Sequence, residues 1–126
     1  MAQIPTVIGL LVSEQAIVEA ETYNVTLVNC FLRRKVESFP SEPQRFAVFA
    51  LLTDGQGDID LTLVIERLDT GEEIYRQSRS LRFPDPLKEV RFLFRVQTCS
   101  FPVASRYDVI LFAAGSELAR HRIDID

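Results

Sequence analysis

The stretch Thr53–Asp60, TDGQGDID, packs three aspartates and two glycines into eight residues. Carboxylates at this density suit a calcium ion, and glycine-rich turns suit a phosphate. A calcium loop of the helix–loop–helix kind alternates oxygen ligands, with Gly at its sixth position and a bidentate Glu at its twelfth. Counted from Asp54, those positions hold Ile59 and Ile65. A phosphate cradle opens onto a helix N-terminus, whereas a strand-like run follows here. The reading that remains is a connection between strands. Gly55 and Gly57 would supply positive φ, and Asp54, Asp58 and Asp60 would face water.

The other reactive side chains are sparse. His121 is the only histidine, and it shares strand parity with Ala119, Ile123 and Ile125. It is expected to face inward and to be structural. A zinc site takes about four N, S or O ligands, and Cys30 and Cys99 lie 69 residues apart with no C-x-x-C pair. Their separation is similar to that of the inter-sheet disulfide of immunoglobulin domains, but the accompanying Trp is missing. Two small buried thiols are expected instead. Tyr107, two residues before Val109, is placed as a tyrosine corner would be. No catalytic residue, metal or cofactor is expected, so the chain is read as a non-enzyme.

Charge supplies one further candidate. Residues 76–95 hold Arg76, Arg79, Arg82, Lys88, Arg91 and Arg95, offset only by Asp85 and Glu89. If the two strands that carry them lie side by side, Arg76, Arg79, Arg91 and Arg95 form a patch for an anionic partner. The plainer reading is a solvated face that blocks edge-to-edge aggregation. No aromatic residue interleaves with these arginines on their own parity, which argues against single-stranded nucleic acid.

The elements that must position these residues are strands. The chain has 126 residues, 47% of them hydrophobic, with nine Phe, three Tyr and no Trp. That suits one domain, residues 1–126, with enough apolar material for a core. The net charge is −4, distributed as −6 over residues 1–72 and +2 over residues 73–126. An acidic chain repels a phosphate backbone unless basic groups cluster. The start, MAQIPTVIGLLVSEQ, has no basic n-region, and no run approaches the roughly 20 apolar residues of a membrane span. A cytoplasmic protein with reduced thiols and no membrane association is expected.

Short apolar or alternating runs are separated by Gly, Pro, Asp or Ser, the rhythm of an all-β sandwich or barrel. Thr6–Val12 reads as a buried strand and Val25–Leu32 as another, while Ser13–Glu21 suits either two helical turns or a strand. Arg33–Pro43 holds two prolines and reads as a loop. Arg45–Thr53 reads as a central strand. Ile59, Leu61, Leu63 and Ile65 alternate with polar or smaller positions, and Asp69-Thr70-Gly71 marks a hairpin into Glu73–Leu81. Val90, Phe92, Phe94 and Val96 alternate with Arg91, Leu93, Arg95 and Gln97. Arg106–Ala114, a turn at Gly115-Ser116, and Glu117–Ile125 close the chain. The expected fold is a single immunoglobulin-like antiparallel β-sandwich of about eight strands. Phe46, Val48, Leu61, Leu63, Phe92, Phe94, Val109 and Leu111 are its expected core.

This order of features resembles a bacterial family of small β-sandwich proteins catalogued as a domain of unknown function. The resemblance is carried by the apolar first strand, Tyr23-Asn24-Val25-Thr26-Leu27-Val28-Asn29-Cys30-Phe31, Ser38-Phe39-Pro40, the apolar run ending at Leu52, Leu68-Asp69-Thr70-Gly71-Glu72, and the final hairpin from Arg106 to Leu118. This chain departs from the family pattern at Tyr23 and Asn24, where a turn glycine is usual. The resemblance implies the sandwich fold and transfers no activity. The expected function is a non-catalytic protein-interaction module that binds another protein, or itself, through a sheet face or an edge strand. The alternative is a small-ligand or metal-binding domain, enzymatic or not, using the Asp54–Asp60 loop.

Overall fold

A computed structural model describes residues 2–126. Nine strands make up its regular structure: β1 (Thr6–Val18), β2 (Val25–Cys30), β3 (Arg33–Arg34), β4 (Gln44–Thr53), β5 (Gly57–Arg67), β6 (Glu73–Phe83), β7 (Val90–Cys99), β8 (Ser105–Ala113) and β9 (Ser116–Ile125). They form two sheets, ordered β2-β1-β4-β7 (sheet 1) and β3-β9-β8-β5-β6 (sheet 2), packed as a sandwich. The connectivity is compatible with an immunoglobulin-like arrangement.

The period-2 pattern explains the packing, because alternate residues of a strand share a face. Leu61, Leu63 and Ile65 of β5 sit opposite Ala113, Leu111 and Val109 of β8, and these residues and Ile59 are all buried. In sheet 1, Val12, Val48 and Phe94 lie in one row, each fully enclosed. Of the eight expected core residues, seven are buried, and Phe92 packs against the core while partly exposed. One end of the core is aromatic. Phe101 meets the Tyr107 ring edge-on with centroids 4.9 Å apart, and Phe46 stacks on Phe101. The Tyr107 hydroxyl donates to the Val103 carbonyl oxygen at 2.7 Å, so the expected corner forms.

Three local readings change. The ninth strand is β3, which lies in the segment expected to be a loop. It pairs in parallel with β9, and Arg33 forms an ion pair with Asp126 there. Ser13 caps no helix. Its hydroxyl donates to the Gln15 carbonyl oxygen at 2.9 Å, and β1 continues to Val18. The last hairpin turns on Ala114 and Gly115, with φ of 48° and 83°, one residue earlier than expected. Positive φ at both central positions matches the twist of the flanking strands.

β1 serves two partners in succession. It pairs with β4 from Thr6 to Ser13 and with β2 from Ser13 to Val18. Beyond Ser13 the β1–β2 hairpin lies over the outer face of sheet 1. Arg95 Nη1 donates to the Ala16 carbonyl oxygen at 3.4 Å, and Arg91 Nη1 donates to Asn24 Oδ1 at 3.0 Å.

Replacing the enclosed Phe94 by Ala removes apolar contact and leaves a cavity, a loss of about 3–5 kcal/mol. Total stability of a domain this size is about 5–15 kcal/mol. Leu87→Ala, at a side chain 87% exposed, should leave stability within about 0.5 kcal/mol of the parent. Urea unfolding of both variants checks this, and equal midpoints would contradict the packing.

Candidate interaction surface

The outer face of sheet 2 is electrostatically occupied. Asp108 points from β8 with its side chain 2% exposed, and it accepts from Arg120 Nη1 at 2.9 Å and from Arg122 Nε at 3.2 Å. A buried carboxylate needs such partners. Arg120 also holds Glu117, whose hydrogen bond pushes the guanidinium pKa up and the Glu117 carboxyl pKa down. Arg82 sits 3.5 Å from Asp58, and Arg106 sits 3.5 Å from Asp124.

The four arginines singled out by sequence do not converge on one face. β6 pairs only with β5, and β7 pairs only with β4. They are the edges of different sheets and face each other across an open side of the sandwich, because residues 84–89 carry the chain from one sheet to the other. Arg76 and Arg79 are three residues apart and point to opposite faces of β6. Arg76 is on the outer face, bound to Glu73 at 2.7 Å. Arg79 shares the inner face with Leu61, its partner across the ladder. Arg91 and Arg95 lie on the outer face of sheet 1 and bond the hairpin as described above.

Two of the four do share a site. Arg79 and Arg95 line a cleft of about 380 Å³ on the open side, together with Tyr75, Gln77, Gln97 and Thr98. The Tyr75 hydroxyl donates to Gln77 Oε1 at 2.8 Å, so the amide N–H groups of this lining residue are not engaged by Tyr75. Among the described residues, neither Arg79 nor Arg95 has a carboxylate within 4.0 Å, and neither does Arg45, which precedes Phe46 on β4. Arg45 went unmarked in the sequence because it stands alone before an apolar run. Its proximity to Arg95 follows from the β4–β7 register, which pairs Ala47 with Arg95.

TDGQGDID is a strand connection held from both sides. Gln3 and Gln56 exchange backbone hydrogen bonds of 2.8 and 3.1 Å, Gln3 Nε2 donates to the Asp54 carbonyl oxygen at 2.7 Å, and the Asp54 amide donates to Pro86. Asp54, Asp58 and Asp60 are exposed, as expected. The glycines divide the work differently from the expectation. Gly57 has φ 84°, but the other left-handed residue is Asp54, with φ 63°. Gly55 is required by space, since a Cβ there would lie 2.6 Å from the Phe83 ring. Among the described residues no group of three or more His, Cys, Asp or Glu side chains could hold a metal ion.

The remaining polar residues are structural in placement. His121 sits opposite Val109 on the inner side of β9, half-buried, and desolvation lowers its pKa. Cys99 is buried, and its thiol is pushed up to about 12 by burial. Cys30 is exposed on β2, which corrects the expectation of two buried thiols: the hairpin turns that face of β2 outward. Compared with known proteins, the chain matches no protein-family model and no curated protein.

Changing Asp54, Asp58 and Asp60 together to Asn should alter stability by no more than about 0.5 kcal/mol per site, since all three are surface groups and Asn tolerates the left-handed conformation of residue 54. Thermal melting of parent and variant should be indifferent to millimolar calcium. A calcium-dependent rise in the parent that the variant lacks would contradict this.

Proposed function

We propose that this chain is a non-catalytic interaction module that accepts an extended acidic segment of a partner protein as an added strand along β7. The observation that carries the proposal is the pairing of a free edge with two uncompensated guanidiniums at one cleft. An edge strand presents unpaired N–H and C=O groups and recruits another strand unless it is guarded. β6 is guarded, because Arg79 points inward where an added strand would bury its charge. β7 has ten residues with no proline, and its inward side chains Phe92, Phe94 and Val96 are apolar.

A strand laid against β7 alternates its own side chains between the outer face, beside Arg95, and the interior, toward Arg79 on the opposite sheet. Acids at nearby positions of that strand meet both guanidiniums, and the Gln77 and Gln97 amides and the Thr98 hydroxyl supply further donors. Arg79 thereby changes from a guard against uncharged strands into a recognition group for an acidic one. The site has no nucleophile–base pair, so the reading is one of binding.

A ten-residue peptide of alternating valines with two central glutamates should bind with micromolar affinity. Its glutamine counterpart should bind at least about tenfold more weakly, since hydrogen bonds to charged groups are worth about 1.5–3 kcal/mol. Binding should weaken with salt, because the screening length falls from about 10 Å at 0.1 M to about 3 Å at 1 M. N-methylation of alternate residues on the pairing edge should abolish it. Equal binding of the N-methylated peptide would reduce the interaction to charge attraction, and equal binding of the glutamine peptide would remove the role of the arginines.

A further inference from the structure

A second cleft, also about 380 Å³, lies between the β1–β2 hairpin and the outer face of sheet 1. Val18 and Val25 form its hairpin wall, and Phe49 and Leu93, partners across the β4–β7 ladder, form its floor. Tyr23 stands at the hairpin tip, and Arg91 closes one end. We propose that this cleft binds a small amphipathic anion, with its apolar body on Phe49 and Leu93 and its carboxylate on Arg91. This site is separate from the open side between β6 and β7 and does not depend on strand addition there.

Three observations carry the proposal. The volume lies within the range of about 300–1,000 Å³ found for small-molecule sites, which are mostly apolar with a few placed polar groups. Arg91 donates one hydrogen bond, to Asn24 Oδ1, and has no carboxylate within 4.0 Å among the described residues. A guanidinium carries five N–H donors, so a fork remains for an incoming carboxylate. Glu89 also lines this end; it is exposed and makes no ion pair with Arg91, so it leaves that fork unoccupied. The third observation is backbone strain. Tyr23 has φ 59°, a conformation disfavoured for a bulky side chain, at a turn where glycine would be free of strain. Its amide donates to the Glu19 carbonyl oxygen at 2.9 Å, and the residue, 67% exposed, lines the cleft. Strain of this sort concentrates at ligand clamps.

Octanoate is a suitable probe, with octan-1-ol and butyrate as comparators. A ligand of the folded state raises the melting temperature by mass action. Octanoate should raise it and should shift the methyl NMR signals of Val18, Val25 and Leu93. Butyrate should do neither, and octan-1-ol should bind at least about tenfold more weakly, for want of the charge-assisted bond. Arg91→Gln should erase the preference for octanoate over octan-1-ol. Tyr23→Gly should melt at or above the parent temperature without ligand and bind octanoate less tightly, a combination that a purely structural role for Tyr23 does not produce. Leu93→Glu, at an outward position, should abolish binding. The proposal is overturned if octanoate moves neither the melting temperature nor those signals, if Arg91→Gln keeps the octanoate preference, or if Tyr23→Gly binds as the parent does. The Arg91 and Tyr23 variants decide the matter even if Leu93→Glu fails to fold.

Discussion

Burial of two facing sheet surfaces is the constraint from which the rest of the molecule follows. Because strand side chains alternate with period 2, a slip of one residue would send a whole apolar row to solvent. The row Val12, Val48 and Phe94 therefore sets the register of sheet 1. With Phe94 inward, Leu93 and Arg95 must be outward, and so must Arg91. The outward placement of these three side chains is thus a by-product of core packing, and no separate force is needed to aim them.

The same constraint leaves edges. Sheet 2 protects β6 with the inward guanidinium of Arg79 and neutralises its outer face through Asp108, Arg120 and Arg122. Sheet 1 protects itself unevenly. Its outer face is partly covered by its own hairpin, held by Arg91 and Arg95, while the β7 edge carries neither proline nor an inward charge. Arg45, Arg91 and Arg95, none with a carboxylate within 4.0 Å among the described residues, lie on this less protected sheet, and Arg79 lines the cleft beside it. Mild charge asymmetry along the chain becomes a sided molecule once strands from the second half are distributed between two sheets.

Much of this was legible in the residues. The alternation Ile59 to Ile65 and Val90 to Val96 marks both the strands and their inward faces, and Tyr107 marks the corner at the start of β8. What could not be read were features that depend on which strands meet. Ser13–Glu21 is ambiguous by pattern because its strand leaves one partner and covers the sheet's other side, so Ala16 is buried while Ile17 is exposed. The two-residue β3 is too short to show periodicity and exists through β9. The arginines looked like one patch because β6 and β7 are neighbours in sequence, but the crossing at residues 84–89 puts them in different sheets. Gly55 looked like a turn glycine, whereas the Phe83 ring is what excludes a side chain there.

The central claim is that β7 is paired with β4 on one side, regularly from Val90 to Val96, and open on the other. Residue-resolved amide hydrogen exchange of the free protein tests it most directly. β4 lies between β1 and β7, so its amides should be protected wherever both neighbours pair with it. From Val90 to Val96, ahead of the β-bulge, protection should alternate, with every second amide, bonded to β4, exchanging slowly and those between exchanging fast. Slow exchange at every β7 amide would mean that the edge is already covered. Fast exchange throughout would mean that the β4–β7 ladder, and the outward placement of Arg91 and Arg95 that rests on it, is wrong.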